Sequence, residues 1–377
     1  MKRVFIGVAI FALLSMAGWA EDSSSTDEQM PSEDADTLIP RELLFGNPDK
    51  ITVRTSFDGS KISYLAPKDG VLNVWVGPID DPGAAKPVTN DTYRGIRSYA
   101  WTFTNEHILY IQDKDGDENW RIYSVNLSSG KIKDLTPFED VQARIQKVSR
   151  NFPEDIIVGL NDRDPEYHDL YRLNIKTGNM TLIQENREFS SFDIDEDYNV
   201  RFATNTTPDG GAEIFKRTGD DGWEIFSKIP MEDMITTGSV GFNKTGEILY
   251  MVDSRGRNTA ALFAMNTTTG VETLIAEDPK ADFGGWMRHP TEMNVQAVAF
   301  TYERKHWQVL DDSVADDLAY LQTVDDGDVE VLSRSLDDKT WIVVYVVDDG
   351  PFRYYRYDNE SQTAHPAASS GACSRRS

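Results

Sequence analysis

This chain of 377 residues is poor in the groups that covalent staples and most enzyme sites require. It carries one cysteine, Cys373, so no disulfide can form within the chain and stability has to come from packing. The five histidines, His107, His168, His289, His306 and His365, show no metal-ligand spacing. No His-Glu-x-x-His or paired-cysteine pattern accompanies them, so neither a metal site nor another cofactor is expected. A Gly-x-Ser-x-Gly elbow is missing, which leaves an α/β-hydrolase serine without a place, and no glycine-rich phosphate loop follows a strand. Basic residues are scarce: 38 Lys and Arg against 63 Asp and Glu give a formal charge of −25. That balance argues against nucleic acid or an anionic membrane as partner, since both need a basic footprint to release counterions.

Hydrophobic residues make up 39% of the chain and aromatics 11%, enough to bury a large core. Residues 1–20 join Lys2 and Arg3 to an apolar run from Val4 to Met16 and then to Gly18 and Ala20. This is the layout of a cleaved secretory signal and too short for a membrane span, so a secreted or periplasmic protein with no membrane attachment after cleavage is expected. Residues 21–37 are acidic and serine-rich and read as a disordered linker. An N-terminal segment at 38–50 leaves room for one short helical turn before Gly46 and Pro48.

A repeat then sets the fold class. Seven times a turn-forming stretch leads into an apolar strand, beginning at Phe57, Phe103, Phe152, Ile194, Phe242, His289 and Leu336. Successive starts are 46, 49, 42, 48, 47 and 47 residues apart, the length of a four-stranded propeller blade. A second element recurs inside the unit, an alternating hairpin with a Gly or Asn turn, as in "IYSVNLSSGKIKDLT", "LYRLNIKTGNMTLI" and "LFAMNTTTGVETLI". Two signals at one period predict an all-β, seven-bladed β-propeller over 51–361; an evenly spaced β-sandwich does not account for both. In the seventh unit, "FRYYRYDNES" is the third strand, and "QTAHPAASSGACSRRS" follows where a fourth should stand. Pro366 lacks a backbone donor and the small residues offer little to pack, so the last blade is expected to be incomplete and 362–377 to be an aberrant tail. An open edge there predicts self-association through blade seven.

Chemical candidates are weak. In "DKDGDENW" the carboxylates Asp113, Asp115 and Asp117 alternate as in a calcium loop, but Gly116 stands one place early, so an acidic solvated turn is the better reading. The pairs Asp311–Asp312 and Asp348–Asp349 are adjacent, and neighbouring residues of a strand point to opposite faces, so they read as turn residues. Trp75, Trp101, Trp120, Trp286, Trp307 and Trp341 fall in or beside strands, as inter-blade packing or as channel lining. No catalytic residue is assigned, and the substrate-binding residues stay unknown.

The stretches "AWTFTNEHILYIQDKDGDENWRIYSVNL", "NDRDPEYHDLYRLNIKTG" and "SRSLDDKTWIVVYVVDDGPFRYYRYD" resemble the propeller of secreted bacterial members of the prolyl oligopeptidase family, the dipeptidyl aminopeptidase or acylaminoacyl-peptidase-like group. The resemblance runs from about Ile39 to Ser361. It implies a lid that restricts short peptides to a following α/β-hydrolase domain with a Ser-Asp-His triad. No position here matches that triad, so the expected reading is a truncated serine peptidase, inactive alone, whose peptide partners act through the missing domain. The alternative is a stand-alone secreted propeller binding a peptide, polymer or protein partner. A propeller that is itself an enzyme is the weakest reading.

Overall fold

The computed structural model describes residues 45–219 and 222–371. The expected signal, the acidic linker, the helical turn up to residue 44 and Cys373 lie outside them. The chain divides into two compact units, Met1–Gly46 and Asn47–Ser377, and the second holds all seven sheets.

The sheets follow one another along the chain as blade 1 (51–87), blade 2 (99–134), blade 3 (143–184), blade 4 (191–229), blade 5 (238–276), blade 6 (283–309) and blade 7 (328–369). Each is an antiparallel meander with its strands side by side in sequence order. The seven apolar runs read from the sequence are the second strands, for example Asp155–Leu160 and Thr340–Val346, and they are buried almost throughout because blades cover both their faces. Strands three and four are the predicted hairpins. Their turns repeat one local device: Asn126, Asn174 and Asn266 each accept a backbone N–H three residues on, at 2.8, 2.9 and 2.9 Å. Gly130, Gly178 and Gly270 then take φ of 68°, 78° and 73°, which a side chain resists. In six sheets the first pair of strands slips register, and such bulges add the twist that a blade needs.

Two blades depart from expectation. Blade 7 is complete: Thr363–Ser369 pairs with Arg353–Asp358 as a fourth strand, so the incomplete blade and the wholly aberrant tail from 362 are corrected. Pro366 stands opposite Tyr355, and a register shift absorbs Ala367. The outermost strand has only one neighbour, so a residue without an N–H is tolerated there. The alanines do pack, Ala367 and Ala368 onto the core between blades 7 and 1 and Ala364 onto that between blades 6 and 7.

The sheet with three strands is blade 6. Its chain leaves the meander for a 3-10 turn, Asp312–Val314, capped by Asp311, whose side chain accepts the Ser313 N–H, and this turn runs on into a helix, Ala315–Leu321. Val314, Leu318 and Leu321 bury against Trp341, Val343, Tyr345 and Tyr357 of blade 7. Buried Asp317 accepts the Tyr357 hydroxyl at 2.5 Å, and the Tyr345 hydroxyl donates to the Leu321 carbonyl at 2.5 Å. Burial raises both phenols, and the Asp317 hydrogen bond raises Tyr357 further.

Deleting residues 362–377 is expected to uncover the third strand of blade 7 and cost about 2 kcal/mol or more, lowering the unfolding midpoint by roughly 3 °C or more. Calorimetry of the shortened chain checks this; an unchanged midpoint would mean that the fourth strand contributes nothing.

Candidate functional site

Four antiparallel strands per blade give a propeller two unlike faces around a central channel. One bears the turns between strands one and two and the outer hairpins. The other bears the loops between strands two and three, the connections between blades, and both ends of the propeller: the Asp49 N–H donates to the Ser370 carbonyl at 3.1 Å. The long loops are on this second face, at 113–120, 161–168, 254–260 and 347–352, with connections at 88–98, 230–237 and 310–327. Surface loops held on a rigid scaffold are where recognition residues concentrate.

These loops are pinned by ion pairs. Asp113 is buried against Arg94 at 3.2 Å, while Asp117 accepts the backbone N–H groups of Lys114 and Asn119, both at 3.1 Å. The three alternating aspartates therefore do not converge, and among the described residues no group of three His, Cys, Asp or Glu side chains is placed to hold a metal ion. In the next loop Arg163 grips buried Asp169 with two bonds of 2.9 Å, and Asp169 also accepts the Asn186 N–H at 2.6 Å. Arg255 clasps Asp253 in the same way. Asp348 and Asp349 are both exposed in their loop.

The first strands line the channel. Lys147 of blade 3 pairs with Glu196 of blade 4 at 2.6 Å, and Ser239 of blade 5 donates to Asp193 of blade 4 at 2.5 Å. Arg288 of blade 6 donates to the Phe242 carbonyl of blade 5 at 3.1 Å and stacks on Trp286, 4.4 Å from the ring centre. Arg334 of blade 7 reaches back to the Arg288 carbonyl at 3.1 Å and to Gln296 at 2.7 Å. On the turn face, Phe57 and Phe103 stack at 3.9 Å and, with Trp286, Arg288 and Leu332, line a cavity of about 250 Å³. Burial pushes the Asp193 carboxyl up to about 6, against the lowering effects of Ser239 and Lys147.

Among the described residues no serine hydroxyl is hydrogen-bonded to a histidine. His107 lies between Thr104 and Asn126, and His289 accepts the N–H groups of its own turn. His306 stacks on Phe300 and His365 is exposed on the last strand. His168 sits at the end of the loop 161–168 with its Nε2 buried and unpartnered. Of the tryptophans, Trp101, Trp307 and Trp341 serve packing, with Trp101 Nε1 donating to Ser63 Oγ across blades at 2.8 Å, and Trp286 faces the cavity. Sequence reasoning left the channel set of Lys147, Asp193, Glu196, Ser239 and Arg288 unassigned. First strands such as "SFDI" and "GSVGF" are too short and mixed to show a pattern, and each pairing joins residues from different blades.

No family model matches the chain. Over 354 residues it is 44% identical to dipeptidyl aminopeptidase BIII of Pseudoxanthomonas mexicana, a match covering 94% of this chain and 51% of that protein. It is 30% identical over 338 residues to dipeptidyl peptidase family member 6 of Caenorhabditis elegans, covering 85% and 45%. Among solved structures it superposes on a prolyl endopeptidase with a TM-score of 0.62 at 11% identity, covering 86% of this chain and 50% of the other. A puromycin hydrolase gives a TM-score of 0.56 at 12% identity, covering 87% and 55%. At such identities the superpositions establish the fold alone. The chain spans about half the length of the curated relatives it matches.

The elevated Asp193 carboxyl has a stability consequence. Between the ordinary value of 3.8 and about 6 the folded state binds the proton that the unfolded state has lost, so this group makes stability fall as pH rises through that window. Asp193→Asn is expected to raise unfolding free energy at pH 7 by about 1–2 kcal/mol, allowing for screening by channel water, with no gain below about pH 4. Denaturant titrations at both pH values check the sign; a gain that persists at the lower pH would show a packing effect instead.

Proposed function

Since the chain is homologous to the propeller portion of prolyl oligopeptidase family peptidases, we propose that it is the lid and substrate-gating half of a serine peptidase that acts on short peptides. The observation that carries this reading is the loop face. Both propeller ends emerge there, and it exposes Tyr93, Met231, Ile235, Tyr302 and Phe352, large apolar side chains that a seated hydrolase half would cover. Around the central channel Lys147–Glu196 and Ser239–Asp193 tie neighbouring blades together, and a rim held in this way favours a thin extended chain over a folded one. Among the described residues no activated nucleophile and no oxyanion hole is assembled, which supports assigning catalysis to another half. The basic, apolar and small-residue layout of residues 1–20 supports a secreted or periplasmic location.

A second reading, a secreted propeller that binds a peptide, polymer or protein partner unaided, is favoured by one observation. The seventh blade has its fourth strand, so the ring is finished as a free-standing binding module would need. The same strand removes the premise for self-association through blade seven, and the purified chain is expected to run as a monomer in light scattering; a concentration-dependent dimer would show another adhesive surface.

The lid reading is tested by grafting. The isolated chain is expected to release nothing from dipeptidyl p-nitroanilides. Placed before the hydrolase half of the Pseudoxanthomonas relative, in exchange for that protein's propeller, it should give an enzyme that cleaves dipeptidyl substrates and spares casein. A folded chimera that degrades casein as fast as the small substrate would refute gating, and turnover by the isolated chain would refute the assignment of catalysis to another half.

A further inference from the structure

The arginines of this acidic protein mostly sit on carboxylates, as Arg94, Arg121, Arg163, Arg172, Arg255 and Arg334 do. Arg144 does not. It lies on the first strand of blade 3 (Ala143–Val148), directly opposite Gly159 of the second strand (Asp155–Leu160). Gly159 in turn stands opposite Leu170 of the third strand, two residues after His168. The other face of this sheet, with Ala143, Ile145, Val158 and Leu160, is packed into the core shared with blade 2. Strand alternation therefore puts Arg144, Gln146, the bare Gly159 and His168 together on the face turned to blade 4.

Three polar side chains meet there with hydrogen-bonding groups left over. Arg144 uses only Nε, which donates to Gln142 Oε1 at 2.9 Å, and its terminal nitrogens have no partner among the described residues. A Cβ at Gly159 would stand 2.8 Å from Gln146 Nε2 and 3.3 Å from His168 Cβ, so the bare glycine is what lets the Gln146 amide and the His168 side chain lie close together over it. His168 Nε2 is buried with no hydrogen bond, a condition that costs free energy unless a ligand or water relieves it. The nearest acid in sequence, Asp169, is already committed to Arg163 and to the Asn186 N–H. Burial and the Arg144 charge hold the His168 imidazole down at about 4, so at ordinary pH it is neutral, with one ring N–H to donate.

We propose that Arg144, Gln146 and His168, grouped around Gly159 on the face of blade 3 turned to blade 4, form a binding site for a carboxylate group. A planar carboxylate matches the fork of a guanidinium, and its second oxygen takes the imidazole or amide N–H. Only the further step of calling the ligand a short peptide rests on the lid reading. Such a peptide brings the group either as its C-terminus or as an acidic side chain.

Calorimetric titration of the isolated chain at low ionic strength tests the site without any hydrolase half, so its result is separate from that of the chimera. The probes are acetyl-Gly-Gly with a free C-terminus, acetyl-Glu-Gly amide, and acetyl-Gly-Gly amide. One or both of the first two are expected to bind and the third not; which one binds names the source of the carboxylate. Arg144→Gln should weaken binding roughly tenfold or more. Gly159→Ala, whose Cβ would push the Gln146 amide out of place, should weaken it with an unchanged thermal midpoint, and Arg97→Gln, an exposed change in the 88–98 connection, should leave it intact. Absence of binding at about 10 mM probe, equal binding of the neutral amide, or equal losses in Arg97→Gln and Arg144→Gln would overturn the proposal.

Discussion

Seven sheets stand as a ring only while the first packs against the seventh, and in this protein that seam is closed by side chains and not by a shared strand. Val53, Ile62, Tyr64 and Ala66 of blade 1 bury against Ile342, Val344 and Tyr354 of blade 7. At roughly 1.5–3 kcal/mol for each large apolar group, the seam is comparable to any other blade junction. Polar contacts fix its register: the Thr55 N–H donates to Ser333 Oγ at 3.0 Å, and the Leu336 N–H to the Phe57 carbonyl at 2.7 Å. Closure also brings Asp49 to Ser370, so that whatever the propeller is joined to meets it on one face.

The seam explains why the small residues after Ser361 form a strand. A fourth strand made of bulky side chains is unnecessary where blade 1 already supplies the core, and alanines fit the space left beside Tyr64 and Tyr354. Blade 6 solves the opposite problem. Its outer strand is absent, and the helix Ala315–Leu321 brings Leu318 and Leu321 to the aromatic cluster of blade 7, with Asp317 locking Tyr357. A helix can stand where a strand is expected because the junction needs apolar volume and satisfied polar groups, whichever backbone provides them.

Electrostatics divides the same scaffold by task. On the loop face, carboxylates are tied to arginines and to backbone N–H groups, which stiffens loops that sequence composition alone would leave as solvated acid runs. Inside the channel the pairs run between blades, Lys147 to Glu196 and Ser239 to Asp193, so they join neighbouring sheets as well as lining the path. The Arg144 and His168 site stands apart because the terminal guanidinium nitrogens and His168 Nε2 have no partner among the described residues.

What was legible in the sequence follows from what each strand touches. Second strands such as Ile156–Val158 and Trp341–Tyr345 are enclosed on both faces, which demands continuous apolar runs, and the outer hairpins need an Asn and a Gly at fixed places; both leave a periodic trace, and the trace determined seven blades. The strand Thr363–Ser369 leaves none, since an edge strand pairs on one side only and tolerates Pro366. The channel was equally silent: Asp193 meets Ser239, 46 residues away, and Arg144 and His168 come to one sheet face only because three strands pair side by side. Local sequence determined which segments are strands and how often they recur, because burial and turn geometry act within a few residues. Ring closure, the helix in place of a strand, and the grouping of charges around the channel were decided by tertiary structure alone, because those contacts exist only once separate blades stand side by side.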